Sequence, residues 1–364
     1  MIKYHRMKIL DFINQLTDVL PFNQDESLSF QENVKVTQKE FLEKFNFVDE
    51  SDLKLFLPPI FPKNGRQLTK KMLIHKFNQI HLKLNKAIER YYEGKPASAY
   101  REIKQLLANV SYVRDLSDSY QGFLQIKDFR EFDELNWFRL RKISKDETES
   151  PKSSHLFHPP FEKRGKAGNY RFSISGFPCL YLGDSINLCW EEINKSKKDI
   201  FASRFNFKCS QDFLRPLNIT IPEPFTEEIY YLENQVHDDA FSFLITFPVI
   251  QLCLFKVKDE SIKDNFKPEY IIPQLLMQFM REEGFFNSVV YSTTKTIDNK
   301  SSKLNHNLVL PARRIGNKGF CPELMNNIKV SIPLPISCFD TDSFNTTESE
   351  LLTKEAILLV ATKQ

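Results

Sequence analysis

The sequence has no Cys-x-x-C pair, no histidines at metal-ligand spacing, no uncharged run long enough for a bilayer and almost no net charge. Each absence removes a class of protein. The six cysteines, at 179, 189, 209, 253, 321 and 338, are scattered, and most sit in apolar runs such as PCLYL and QLCLF. They read as buried reduced thiols of a cytoplasmic protein, not as a disulfide framework or a zinc site, and no metal is expected. The longest uncharged run, AFSFLITFPVIQLCLF (240–255), is too short to span a membrane and contains Pro248, so it reads as a buried helix. Charges interrupt every apolar stretch of MIKYHRMKILDF, which excludes a signal peptide there. A net charge of +3 carries no general argument for nucleic acid or membrane. No internal repeat or extended low-complexity tract is present.

What the chain does have is phenylalanine, 33 residues against 10 glycines, which supplies core volume that Leu, Val and Ala usually share. A length of 364 residues suits two domains. Residues 1–130 read as a mostly helical N-terminal domain. VTQKEFLEKFNF holds Thr37 and, three residues on, Glu40, a capping-box spacing. LPPIFPKNG (57–65) breaks the pattern as a loop. Over 68–92, Leu73, Phe77, Ile80, Leu84, Ile88 and Tyr91 recur at intervals of three and four and form one apolar stripe. EGKP (93–96) ends that helix, and Tyr100, Ile103, Leu107 and Val110 mark a second, giving a helical hairpin. Eleven Lys and Arg between Lys63 and Lys104 face three acids, which reads as a solvated basic face more readily than as a nucleic-acid surface.

From about 131 the texture becomes α+β. Strand-like runs NWFRLRKI, YRFSIS, CLYLG, FASRFNF, SVVYSTT and HNLVLPA alternate with helical candidates at 186–194, around 240–256 and at 273–283. Residues 144–155 are polar and read as mobile. The assignment is a mixed-sheet domain over 131–340 and a tail with a short terminal helix over 341–364.

Four features can carry chemistry. Tyr181 ends a strand-like run. Eleven residues on, Glu192 ends a short helix in an apolar setting, with Glu191 as its competitor. Arg139 lies among aromatics in WFRLR, with Arg141 close by. Tyr291, Ser292, Thr293 and Thr294 end a β-branched strand in four successive hydroxyls. Singly, each is as well explained by packing or solvation.

Together they resemble the RES domain, named for an Arg, a Glu and a Ser, over residues about 135–335. The stretch FHPPFEKRGKAGNYRFSISGFPCLYLGDSINLCWEE (157–192) resembles the family pattern of Arg, then Gly-x-Pro-x-x-Tyr-Leu, then Glu. FKPEYIIPQLLMQFM, VVYSTTK and NHNLVLPARR follow in the family's order. The resemblance implies an ADP-ribosyltransferase-like fold and members that bind NAD and split its nicotinamide–ribose bond, many of them toxins paired with an antitoxin. By match to the family's motif, Arg139 (or Arg141) anchors the pyrophosphate of NAD. Arg171 is a second phosphate contact or a support, Tyr181 stacks nicotinamide, and Glu192 stabilises positive charge on the ribose, leaving Glu191 to face solvent. The family Ser falls at Thr293, with Ser292 one residue earlier. His158 and His306 read as structural or cleft-lining rather than catalytic.

The resulting expectation is a cytoplasmic NAD glycohydrolase or NAD phosphorylase, with water or phosphate as acceptor and an antitoxin or regulatory protein as partner. The alternatives are an ADP-ribosyltransferase acting on a protein or nucleotide, and a module that binds NAD or a partner without cleaving it. Neither membrane nor nucleic acid is expected as a partner.

Overall fold

A computed structural model describes residues 7–57, 68–109, 136–144, 148, 150–193, 198–207, 213–225, 234–295, 306–314, 316–336 and 357–358. Among them the α-helices in chain order are α1 (Ile9–Asp18), α2 (Phe30–Asn46), α3 (Glu50–Phe56), α4 (Lys70–Tyr92), α5 (Pro96–Asn109), α6 (Ile186–Glu192), α7 (Asn234–Cys253), α8 (Ile271–Glu283) and α9 (Pro322–Asn327). The strands are β1 (Trp137–Lys142), β2 (Cys179–Gly183), β3 (Ile200–Phe207), β4 (Pro216–Ile219), β5 (Ser288–Ser292), β6 (His306–Pro311), β7 (Ile328–Val330), β8 (Leu334–Pro335) and β9 (Ile357–Leu358). The fold is α+β.

The chain divides into one unit of residues 1–123 and 221–279 and another of 124–220 and 280–364. A contiguous division near 130 is therefore replaced by a helical unit assembled from two stretches of chain. The reason lies in α7. Its Phe247 ring stacks on Phe41 of α2 at 5.3 Å, and Phe41 meets Phe77 of α4 at 4.9 Å and Phe12 of α1 at 5.7 Å. The abundant phenylalanine builds this core by edge and offset contacts between rings.

In α4 the expected stripe is buried at Leu73, Phe77, Ile80, Leu84 and Ile88, while Tyr91 is half-buried. Gly94 turns the chain at φ +72°, and α5 opens on Pro96. On α5, Tyr100 and Ile103 are buried as expected, Leu106 is buried where Leu107 was expected, and Val110 lies outside the described residues. Lys83–Glu102 and the Glu93 pairs with Arg90 and Lys95 belong to a solvated basic face.

The capping box stands eight residues, about two helix turns, before the expected one. Ser29 caps α2, its hydroxyl accepting from Glu32 N at 3.3 Å while Glu32 accepts from Ser29 N at 2.8 Å. Thr37 is buried inside the helix and donates to the Val34 carbonyl at 3.0 Å. The loop expected at 57–65 lies outside the described residues from 58 on. In α7, every described side chain from Ala240 to Cys253 except Ser242 is buried. No helix among the described residues is long and apolar enough to cross a membrane.

His81 of α4 lies in the same core, 5% exposed and 5.8 Å from the Phe41 ring. Among the described residues, neither ring nitrogen has a hydrogen-bond partner. Burial lowers its pKa from 6.5 to about 4. The unfolded chain therefore binds a proton that the folded chain refuses between these values. The stability this lends is complete above pH 6.5 and falls as the pH drops towards 4, by on the order of 3 kcal/mol. In urea melts at pH 7.5 and 4.5, His81→Phe is expected to narrow the acid loss. An unchanged acid loss in the variant would refute this assignment.

The second unit is one mixed sheet in the order β4-β5-β6-β2-β1-β3-β7-β9, with β8 also on β3. The β4–β5 ladder is parallel and the others are antiparallel. Strand β1 feeds two cores by its period of two. Trp137 joins Leu180, Leu182, Phe205 and Leu308, while Phe138 and Leu140 join Ile186, Cys189 and Ala202.

Two expected elements differ. YRFSIS (170–175) forms turns, because the Ser173 hydroxyl accepts from Tyr170 N at 2.9 Å and so competes with a ladder. In the tail, the described pair Ile357–Leu358 is strand β9 on the edge of β7, not part of a helix, and the rest of 341–364 lies outside the described residues. An open strand edge recruits a short apolar segment by main-chain pairing. Within 144–155, Ser153–Leu156 form a 3₁₀ turn, and 145–147 and 149 lie outside the described residues.

Candidate active site

Gly183 closes β2 and pairs with both Phe138 on β1 and Asn307 on β6. A Cβ at this position would stand 2.8 Å from Cys189 Sγ and 3.3 Å from Leu188 Cδ2, so glycine lets α6 seat directly on the strand. The helix has only seven residues and is positioned by its contacts. Ser185 caps it, accepting from Leu188 N at 3.1 Å, and Ile186 and Cys189 are buried with Phe138. Fixed in this way, α6 ends on a half-buried Glu192. Glu191, expected to face solvent, is only 8% exposed. It lies three residues after the buried Leu188, which turns it inward.

Two neutral donors meet Glu192. Thr293 Oγ1 and Asn307 Nδ2 each donate to Oε1 at 3.0 Å. The Thr293 oxygen also accepts from Lys295 N at 3.1 Å, which leaves its proton for the carboxylate. The Lys295 ammonium bonds the Glu191 carbonyl at 2.9 Å and ties the end of β5 to the end of α6. Of the two hydroxyls in question, Thr293 makes the contact. Ser292 is buried and pairs with His306 across the ladder.

Tyr181 sits in the middle of β2, two residues before its end. Its hydroxyl donates to the Phe172 carbonyl at 2.7 Å, and its ring meets the exposed Tyr170 ring at 5.2 Å. Burial raises its pKa well above 10, with Cys179 and Tyr291 adding to the effect. Strands β1 and β2 share one register pair, Phe138↔Gly183. No further register pair joins them among the described residues, and Arg139 is the next residue of β1. Its Nη1 donates to the Phe157 carbonyl at 3.3 Å, and Tyr170, Tyr181 and Cys189 are within electrostatic range. Burial first, then the like charge of Arg141, lowers its pKa to about 10, so it remains a cation at neutral pH.

Among the described residues no carboxylate pairs with Arg139, which suits it to an anionic ligand. Arg141 donates to the His155 carbonyl at 2.6 Å. Arg171 is 5% exposed and donates to Thr294 Oγ1 at 3.1 Å, so it fastens the 170–175 turns to the end of β5.

The structure brings Glu192 and Thr293 together and sets Tyr181 within range of Arg139. It adds Asn307 and Tyr170, which were not singled out from sequence, and places Thr294 of the hydroxyl run on Arg171. The available signal for Asn307 was a polar residue on a buried strand inside NHNLVLPARR. His158 is held neutral: Nδ1 donates to the Pro159 carbonyl at 2.7 Å, Nε2 accepts from Cys321 N at 2.9 Å, and burial lowers its pKa to about 4. His306 has its backbone N on Asp184 Oδ2 at 2.6 Å, and burial lowers its pKa too.

No family model matches the chain, and no solved structure matches it. Over 278 residues, 74% of its length, it is 30% identical to a protein of Bacillus subtilis (strain 168) named "Putative toxin YopC". The chain spans 60% of that relative's length. The chain is thus an α+β protein similar, over most of its length, to one described as a toxin.

Proposed function

We propose that the chain is a RES-type, NAD-consuming toxin that breaks the nicotinamide–ribose bond and passes the ADP-ribosyl group to water or phosphate. The observation that carries this reading is the Glu192 carboxylate, held through one oxygen by Thr293 and Asn307; on the same sheet Arg139, which pairs with no carboxylate among the described residues, lies within electrostatic range of Tyr170 and Tyr181. The relative's name supports the toxin role, and the single register pair between β1 and β2 is compatible with an ADP-ribosyltransferase-like cleft.

The chemistry follows from the side chains. The C1′–N bond breaks, and its electron pair leaves with nicotinamide and neutralises the ring nitrogen. Positive charge grows on the ribose, and a fixed carboxylate stabilises it more in the transition state than in the ground state. Glu192 is that carboxylate. Arg139 anchors phosphate oxygens with its fork. Tyr170 and Tyr181 offer ring faces to the nicotinamide. The acceptor oxygen then bonds C1′ and releases its proton to solvent.

The test is NAD loss by purified protein, assayed with and without inorganic phosphate and resolved by chromatography. Loss of NAD with release of nicotinamide is the expected result, and phosphate dependence identifies the acceptor. Binding of intact NAD without loss would overturn the enzyme reading.

A further inference from the structure

We infer that Asn307 is a positioning residue that pins Glu192 through Oε1 and so selects Oε2 as the oxygen that meets the substrate. The inference rests on the reading of Glu192 as the reacting carboxylate, but its structural half stands without it.

The geometry comes from the sheet. Asn307 is the second residue of β6, paired with Gly183 on one side and Tyr291 on the other. It is 5% exposed, and its backbone is fixed by two ladders. The side-chain amide reaches the end of α6, where only Nδ2 can donate to a carboxylate. Its bond and the Thr293 bond fall on the same oxygen, and among the described residues Oε2 receives none. A carboxylate gripped at one oxygen by two donors from adjacent strands has one rotamer and one outward oxygen. Both donors are neutral, so the carboxylate charge is oriented without being cancelled. A lysine in either place would hold it as well and weaken its field at the ribose.

Asn307→Ala removes the donor, and Asn307→Asp keeps the shape but replaces the donor with a second carboxyl. For Asn307→Ala the expected result is a fall in kcat for NAD of about 10- to 100-fold with KM within about twofold. Crystals of the variant should show Glu192 displaced or in more than one rotamer. Two carboxyls about 3 Å apart do not both ionise readily. Asn307→Asp should therefore be least active at high pH and regain activity as the pH falls and the introduced carboxyl becomes a donor. Wild type read at each pH cancels the contributions of Asp184, His306 and Lys295.

An unmoved Glu192 in Asn307→Ala overturns the positioning role whether or not NAD is the substrate. A raised KM with kcat intact would instead make Asn307 a binding residue and also overturn it. If Glu192 moves but wild type consumes no NAD, the structural half holds, while the reading of the site and the catalytic half fall.

Discussion

Glu192→Gln is expected to lower NAD consumption by about 100- to 1,000-fold while leaving the fold intact. The amide retains an acceptor oxygen for Thr293 and Asn307, whose bonds to Oε1 are 3.0 Å each. Helix α6 is held by Ser185, Ile186 and Cys189 and does not depend on the charge. On the proposed mechanism, what the substitution removes is the negative charge facing the ribose, whose value lies in the transition state alone. The fall should appear in kcat, with KM for NAD little changed. A thermal melt close to that of wild type excludes misfolding as the cause. Wild-type rates in the variant would remove Glu192 from the mechanism.

Arg139→Met should act on the other parameter. Methionine retains the apolar stem and removes the guanidinium. If Arg139 anchors the phosphates of NAD in ground state and transition state alike, KM should rise about 10- to 100-fold with kcat little changed, the worth of a charge-assisted bond. Losing the bond to the Phe157 carbonyl (3.3 Å) costs about 1 kcal/mol of stability, visible as a small shift in the melt. Isothermal titration with NAD gives the same number without turnover. An unchanged affinity would show that Arg139 serves only the packing around Phe157.

The contrast between these two variants separates anchoring from chemistry. Glu192 is held by neutral donors, and no carboxylate among the described residues pairs with Arg139. Arg171, read from sequence as a second phosphate contact or a support, is buried and donates to Thr294, and its replacement would loosen the turns that carry Tyr170.

Elements that rest on local periodicity were legible in the sequence. The stripe from Leu73 to Ile88 specifies α4 because a 3.6-residue period puts those side chains on one face. Gly94 and Pro96 specify the hairpin turn by their backbone preferences. Strands β1, β2, β3, β5 and β6 stand out as short apolar runs, and the spacing from Tyr181 to Glu192 follows from one strand and one seven-residue helix. Where a side chain competes with the backbone, local reading fails. The Ser173 hydroxyl converts YRFSIS from strand to turn, and Ser29, not Thr37, caps α2.

The tertiary structure decided what depends on distant partners. Thr293 and Asn307 stand 101 and 115 residues from the carboxylate they hold. No local pattern ranks Thr293 over Ser292 or identifies Asn307. Their place follows from the β5–β6 register and from the close seat that Gly183 gives α6. Likewise, residues 221–279 read as part of the sheet domain by order along the chain. They join the helices because α7 has no polar face to leave in water, and the Phe41, Phe77 and Phe247 rings bury one another.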